Sequence, residues 1–266
     1  MLGAIIGDIV GSRFEFHNTF DYNFELFHKD CDFTDDTICT VAIADAILQH
    51  KDNMPDDRDF RLSLQYWCQK YPNPMGAYGG SFNNWVHSSN PQPYNSWGNG
   101  AAMRVSPIGL AFNDPHTIVR EAMNSAKVSH DHVEGLIGAS AVAMAMYEAK
   151  IFPTAKKAKP YISSIARWYY GDDFKKNLPR QGVFDETCKG CVPLALYIIL
   201  ESDDFEDAIR KTISYGGDSD TLGAIVGSIA EPLYGIPHDM EEKALGYLTP
   251  QMIEVYNKFK DKYGKN

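Results

Sequence analysis

Two short acidic clusters hold the residue types best suited to chemistry: Thr34-Asp35-Asp36-Thr37 and Asp218-Ser219-Asp220-Thr221. Each sets carboxylates beside hydroxyls, directly before an apolar stretch. Together they offer four carboxylates and several hydroxyl oxygens. Hard divalent cations such as Mg²⁺ or Mn²⁺ take oxygen donors of this kind. If the fold joins the clusters, the site has ligands for two cations and a means of activating water. Taken alone, each cluster has a simpler reading as a helix N-terminus, because Thr is a good N-cap and acidic residues favour the positive end of the helix dipole. The two readings are compatible, since different oxygens can serve each role. An EF-hand is excluded: Leu222 falls where an oxygen ligand is needed, and Ile229 takes the position of the bidentate Glu.

Further candidates stand singly. Glu15 lies within Arg13-Phe14-Glu15-Phe16 at the end of the first apolar segment. A carboxylate between two phenyl groups has a raised pKa suited to proton transfer, and the plain alternative is an exposed Glu or a partner for Arg13. Gly98-Asn99-Gly100-Ala101-Ala102-Met103-Arg104 reads as a glycine-rich turn opening a helix, a place for a phosphate on free N–H groups. Its spacing is not that of a P-loop. His130 follows Ser129 just before another helix; a lone His is more often a packing or capping residue than a catalytic one. No G-x-S-x-G elbow is present, which argues against a serine hydrolase.

These residues need helices to position them. Leu222, Ile225, Val226, Ile229 and Leu233 follow helical spacing, as do Val133, Leu136, Ile137, Ala141, Met144 and Ala145. Ile38, Val41, Ala42 and Leu48 mark a helix starting near Thr34. Further helices are expected near 58–70, 101–112, 115–127, 155–170, 204–214 and 249–262. Val192 to Leu200 is apolar all round, a buried helix or a short strand. Alternating strand patterns are scarce, so the class is all-α, with many helices around one core. No Ser- or Pro-rich linker divides the chain, and a single domain over residues 1–266 is expected. The acidic clusters sit at opposite ends of the sequence, so a shared site requires the two ends to pack together. A near-repeat supports that: Gly3-Ala4-Ile5-Ile6-Gly7 resembles Gly223-Ala224-Ile225-Val226-Gly227. Glycines four apart share a helix face and permit close backbone approach. Neither segment has dinucleotide-fingerprint spacing. Residues 71–99 read as a long irregular segment rich in Pro, Gly and aromatic residues; its rings either stack on a flat ligand or pack the segment onto the core.

The 266 residues carry 44% hydrophobic and 23% charged residues, an ordinary globular composition, and a net charge of −10. That charge argues against a general nucleic-acid or anionic-membrane surface, which would need a basic patch. No apolar run reaches the roughly 18–20 residues of a membrane span. Residues 1–10 lack a basic n-region and are interrupted by Gly3, Gly7 and Asp8, so they read as a first core helix rather than a signal peptide. Five cysteines argue against a full disulfide framework, and Cys188-x-x-Cys191 lacks the second ligand pair a zinc site needs. Reduced cysteines in a cytoplasmic protein are expected.

The ordered set of motifs resembles the ADP-ribosylglycohydrolase family, the group of dinitrogenase-reductase-activating glycohydrolase. The matching pieces are the run from Gly3 to Glu15, then Phe33 to Thr37, Gly98 to Arg104, Ser129-His130, and Gly216 to Gly227. Each is weak alone; their order across the chain is specific. The resemblance implies an all-α, single-domain orthogonal multi-helix bundle with a central dinuclear metal site holding Mg²⁺ or Mn²⁺. It implies Thr34, Asp35 and Asp36 as ligands from one side and Asp218, Asp220 and Thr221 from the other, with Asp220 bridging. It places Glu15 near the scissile bond, with Glu15, Asp36 and Asp220 as the catalytic carboxylates. Gly98, Asn99, Gly100 and His130 would line the diphosphate and distal ribose, with Tyr78 and Ser81 adding to that pocket. The expected reaction is hydrolysis of the glycosidic bond between ADP-ribose and an acceptor, on an ADP-ribosylated protein or a small ADP-ribosyl molecule, by a monomer. The alternatives are a metal-dependent nucleotide diphosphate hydrolase and a non-catalytic ADP-ribose-binding module.

Overall fold

A computed structural model describes residues 1–50 and 54–264. The regular elements are helices, and among the described residues there is no sheet, only isolated bridges between Thr34 and Met75 and between Gly98 and Thr187. The helices in order are α1 Leu2–Ser12, α2 Asp35–Gln49, α3 Asp57–Lys70, α4 Gly80–Val86, α5 Gly100–Met103, α6 Ser106–Ala111 and α7 Pro115–Lys127. They continue as α8 Val133–Ile151, α9 Ala155–Tyr170, α10 Cys188–Glu201, α11 Phe205–Tyr215, α12 Ser219–Tyr234, α13 His238–Leu245 and α14 Pro250–Tyr263.

The first helix and the twelfth form the centre. Every residue of α1 is buried, and α12 is buried continuously from Ser219 to Ala230. Helices apolar all round belong inside. Their glycines face one another in antiparallel order. A Cβ on Gly3 would lie 2.1 Å from the carbonyl oxygen of Gly227, and one on Gly7 would lie 1.9 Å from that of Gly223. Any side chain there forces the backbones apart, so the near-repeat is the device that brings the two ends of the sequence together. Glu231 of α12 then accepts a hydrogen bond from the Gly3 N–H, one of the unpaired donors at the start of α1.

Two elements differ from expectation, and a third choice left open is decided. The predicted helix at 101–112 is two pieces, α5 and α6, with Pro107 in the first turn of the second. Pro disfavours helical conformation in the residue before it, and it tolerates a first turn because its N–H is missing there anyway. The irregular segment at 71–99 contains α4, whose Phe82 and Trp85 are buried and stacked with centroids 5.5 Å apart. Those two rings pack the segment onto the core. Residues 192–200 lie within α10, which settles the choice between helix and strand. The five cysteines are free and buried. Among the described residues no helix is long and apolar enough to cross a membrane.

Candidate functional site

The glycine crossing sets the site. Asp8 sits between Gly7 and Gly11 on α1 and is fully buried. Its Oδ2 accepts from the backbone N–H groups of Thr34 and Thr37, each at 3.0 Å, and its Oδ1 accepts from the Thr34 hydroxyl at 2.7 Å. Asp8 thereby serves the unpaired donors at the start of α2 and draws that helix end onto α1. Thr34 caps α2 as expected, its hydroxyl oxygen accepting from the Asp36 N–H. Asp36 turns inward, where its Oδ2 accepts from the Thr221 hydroxyl of α12 at 3.1 Å.

The second cluster is delivered by a turn. Gly216 and Gly217 have φ of +75° and +93°, a region only glycine enters without strain. Asn18, just beyond α1, clamps that turn. Its amide donates to Phe14 O at 2.7 Å and Gly217 O at 2.9 Å, and its oxygen accepts from the Gly217 N–H at 2.8 Å. Asp218 makes no side-chain cap to α12. Its Oδ2 instead accepts from the Asn99 side chain at 2.7 Å. Helix capping accounts for Thr34 and fails for Asp218.

The carboxylates converge in two triads. Asp8, Asp36 and Asp220 each bring one oxygen within 4.8 Å of the others, and so do Glu15, Asp218 and Asp220. Asp220 belongs to both. Asp35 is half-buried and faces the same cleft outside either triad. Among the described residues no Lys, Arg or His forms an ion pair with any of Asp8, Glu15, Asp35, Asp36, Asp218 or Asp220. Asp36 Oδ1, Asp220 Oδ1 and Thr37 Oγ1 are buried with no hydrogen-bond partner. Burial and mutual repulsion raise the proton affinity of the whole set. Burial lifts Asp8 to about 6 despite the hydrogen bonds it accepts from Thr37 and Thr34. Burial, then the charges of Asp218 and Asp8, lift Glu15 to about 7. Asp35, Asp36 and Asp220 are pushed well above the usual range, and Asp218 above it, burial being the largest cause in each. Concentrated buried negative charge without a counter-charge is costly, and oxygen-only donors with free lone pairs are what hard cations take. The residues fit Mg²⁺ or Mn²⁺.

Glu15, Asp35, Asp218 and Asp220 close one part of a cleft of about 560 Å³, with Asp8 and Asp36 buried behind them. Glu15 is half-buried on its wall, pressed by Gly76: a Cβ there would lie 2.5 Å from Glu15 Oε2. Gly98, Asn99, Gly100, His130, Tyr78 and Ser81 line the same cleft. Gly98 and Gly100 leave His130 uncovered, since a Cβ on Gly100 would sit 3.0 Å from its Nε2. The Tyr78 hydroxyl is spent on the carbonyls of Cys68 and Tyr71, so only its ring serves the cleft. The helix that Gly98–Gly100 opens is a single turn, and the expected run of free N–H groups is not there: Gly98 N–H is given to Ser96 Oγ at 3.1 Å and Asn99 N–H to Glu186 O at 2.8 Å, which leaves the Gly100 N–H as the backbone donor this loop offers an anion.

Sequence reasoning missed Asp8, Asn18 and Arg104. Asp8 carried a signal: a lone carboxylate inside an otherwise apolar helix has to be partnered. Arg104 ends the glycine-rich motif and is 1% exposed, with its guanidinium over the Phe82 ring. Asn18 gave none, because its work depends on the tertiary meeting of the two chain ends.

The comparisons agree with this architecture. A family model described as ADP-ribosylglycohydrolase matches residues 1–258. The chain is 24% identical to human ADP-ribosylhydrolase ARH3 over 326 aligned positions, covering 93% of this chain and 88% of that one. It is 23% identical to the ADP-ribosyl-[dinitrogen reductase] glycohydrolase of Rhodospirillum rubrum, covering 88% of this chain and 84% of the relative. A solved structure, described as an ADP-ribosylglycohydrolase-related protein complex, shares the fold with a TM-score of 0.74 at 21% identity, covering 98% of this chain and 95% of that chain.

Proposed function

Because this chain belongs to the ADP-ribosylglycohydrolase family, we propose that it hydrolyses the glycosidic bond between an ADP-ribosyl group and its acceptor, releasing ADP-ribose, and that it needs divalent cations to do so. One observation carries the reading: six carboxylates, Asp8, Glu15, Asp35, Asp36, Asp218 and Asp220, gather on or directly behind the wall of one cleft, and among the described residues none of them is paired with a cationic side chain. Two triads sharing Asp220 form a donor set for two ions, with Asp8, Asp36 and Asp220 on one side and Glu15, Asp218 and Asp220 on the other. Bound Mg²⁺ or Mn²⁺ would neutralise this charge and lower the pKa of water.

The chain's own residues do the rest. The Gly100 N–H and His130 offer donors to the ADP-ribose oxygens, which leaves the ribose carbon that carries the acceptor toward the carboxylates. That carbon's bond to the acceptor breaks through an oxocarbenium-like transition state, which negative charge close by stabilises. A water oxygen bonds to the same carbon, and one water proton leaves with the acceptor. Glu15 is the residue we assign to move that proton. It is half-buried on the cleft wall, the one carboxylate of the two triads that is not fully enclosed, and so stands where a carboxylate can reach both water and the leaving acceptor. The acceptor is an ADP-ribosylated side chain or a small molecule.

The test is a panel of defined ADP-ribosyl linkages, to arginine, to serine and to small molecules, incubated with Mg²⁺, with Mn²⁺ and with chelator. Free ADP-ribose that appears with metal and vanishes with chelator is the expected result. AMP and ribose phosphate would make the chain a diphosphate hydrolase instead. Tight ADP-ribose binding with no turnover on any linkage would make it a binding module.

A further inference from the structure

We propose that Arg104 and Ser129 are positioning residues that hold His130 in the tautomer carrying its proton on Nε2, so that the cleft presents a fixed N–H donor beside Gly98 and Gly100. This deepens the functional reading above and rests on it only for the ligand's identity. The argument is a count of protons. Arg104 Nη2 donates to Ser129 Oγ at 2.9 Å, and is itself oriented by the carbonyls of Ser125 and Ala126 at 3.0 and 3.4 Å. A guanidinium has donors and no acceptor. Ser129 is fully buried, and its Oγ has one other neighbour, His130 Nδ1, at 2.8 Å. The serine proton therefore has one place to go. It is donated to Nδ1, which must be the unprotonated nitrogen. The opposite tautomer would leave a buried hydroxyl proton facing a guanidinium.

The remaining ring proton then sits on Nε2. That nitrogen has no hydrogen-bond partner among the described residues, and the two glycines keep it open to the cleft. His130 as a whole is 5% exposed, so Nε2 is reached from the cleft and not from bulk solvent. Burial, with the Arg104 charge behind it, also pushes the imidazole pKa well below its ordinary value, in keeping with a neutral ring. The consequence for chemistry is definite. His130 gives a hydrogen bond to an acceptor oxygen of ADP-ribose, a phosphate or ribose oxygen, and does not act as the general base. Proton transfer falls to the carboxylates.

The direct test is long-range ¹H–¹⁵N correlation on the full, histidine-labelled chain without ligand, with His130 assigned by its loss in His130→Gln. The expected spectrum has Nδ1 unprotonated and Nε2 protonated, unchanged between about pH 5 and 8. Added ADP-ribose should shift Nε2 more than Nδ1. Ser129→Ala should give mixed tautomers and weaken ADP-ribose binding about tenfold, while His130→Gln, which keeps a donor near the Nε2 position, should lose less affinity than His130→Leu. Inorganic pyrophosphate and ribose, tested alongside for the Nε2 shift, separate a phosphate from a ribose acceptor. A wild-type proton on Nδ1, or titration near an ordinary histidine value of about 6.5, overturns the proposal. So does a folded Ser129→Ala with tautomer and affinity unchanged. The unliganded wild-type spectrum decides the tautomer even if that variant does not fold or no linkage is hydrolysed, so the two readings fail separately.

Discussion

At the scale of single residues, the site stores repulsion that a cation would relieve. Asp220 has a buried oxygen without a partner and stands in both triads. Asp220→Asn should therefore raise the melting temperature of the metal-free protein at neutral pH by a few degrees, the size of a ~1 kcal/mol gain in a chain of this length. The same change should abolish the melting-temperature rise on adding Mg²⁺ or Mn²⁺ and cut turnover by about 10²-fold or more. A variant no more stable than the wild type without metal, yet still stabilised by it, would contradict the assignment. Glu15→Gln makes the graded case: the Asp8, Asp36 and Asp220 triad stays whole, so metal still stabilises the chain but by less than in the wild type, while kcat falls by about 10² to 10⁴. Steady-state kinetics beside a thermal melt reads both. Much of this was legible in the sequence, because carboxylates flanked by hydroxyls before a helix are an uncommon way to spend four charges. Asp8 was legible only as a carboxylate in need of a partner; which partner is read from the three donors of Thr34 and Thr37 that surround it. Nor was the division of labour in the first cluster, where Thr34 is occupied by capping and by Asp8 while Asp36 keeps a free oxygen.

At the scale of elements, one crossing controls the site. The α1–α12 contact is backbone against backbone, so Gly7→Ala or Gly223→Ala cannot be absorbed by moving a side chain. Each should cost about 3 kcal/mol or more, measured by chemical denaturation. Gly80→Ala is the matched control: nothing lies within 4 Å of the added Cβ, and its effect should stay within about 0.5 kcal/mol. Equal effects at the two places would mean that the helices can separate freely and that the crossing does not set the site. The crossing was legible as a repeated Gly-x-x-x-Gly pattern, because close approach needs small residues at a helical repeat. The break between α5 and α6 was less so. Residues 101–112 carry continuous helical periodicity, and the break depends on Pro107 and on Arg104 turning inward to Ser125, Ala126 and Ser129. Helix α4 was hidden inside a segment whose prolines and glycines read as loop; its aromatic pair holds it to the core.

At the scale of the molecule, folding joins the ends of a long chain around charge that ordinary core burial would reject. The sign of the pH dependence follows. A carboxylate that binds its proton more tightly when folded contributes stability below its unfolded pKa, about 4, and that contribution is lost as pH rises through the folded value. For Asp8 and Glu15 the folded values are about 6 and about 7. The metal-free chain should thus lose stability between about pH 4 and pH 7. Mg²⁺ or Mn²⁺ at about 100 times its Kd should return ~2.7 kcal/mol and flatten the slope, as thermal melts across pH with and without chelator will read. The most direct measurement is anomalous diffraction from crystals grown with Mn²⁺. The account predicts two peaks, one among Asp8, Asp36 and Asp220 and the other among Glu15, Asp218 and Asp220. Manganese bound elsewhere, or a cluster that stays protonated and empty at saturating Mn²⁺ and neutral pH, would contradict it.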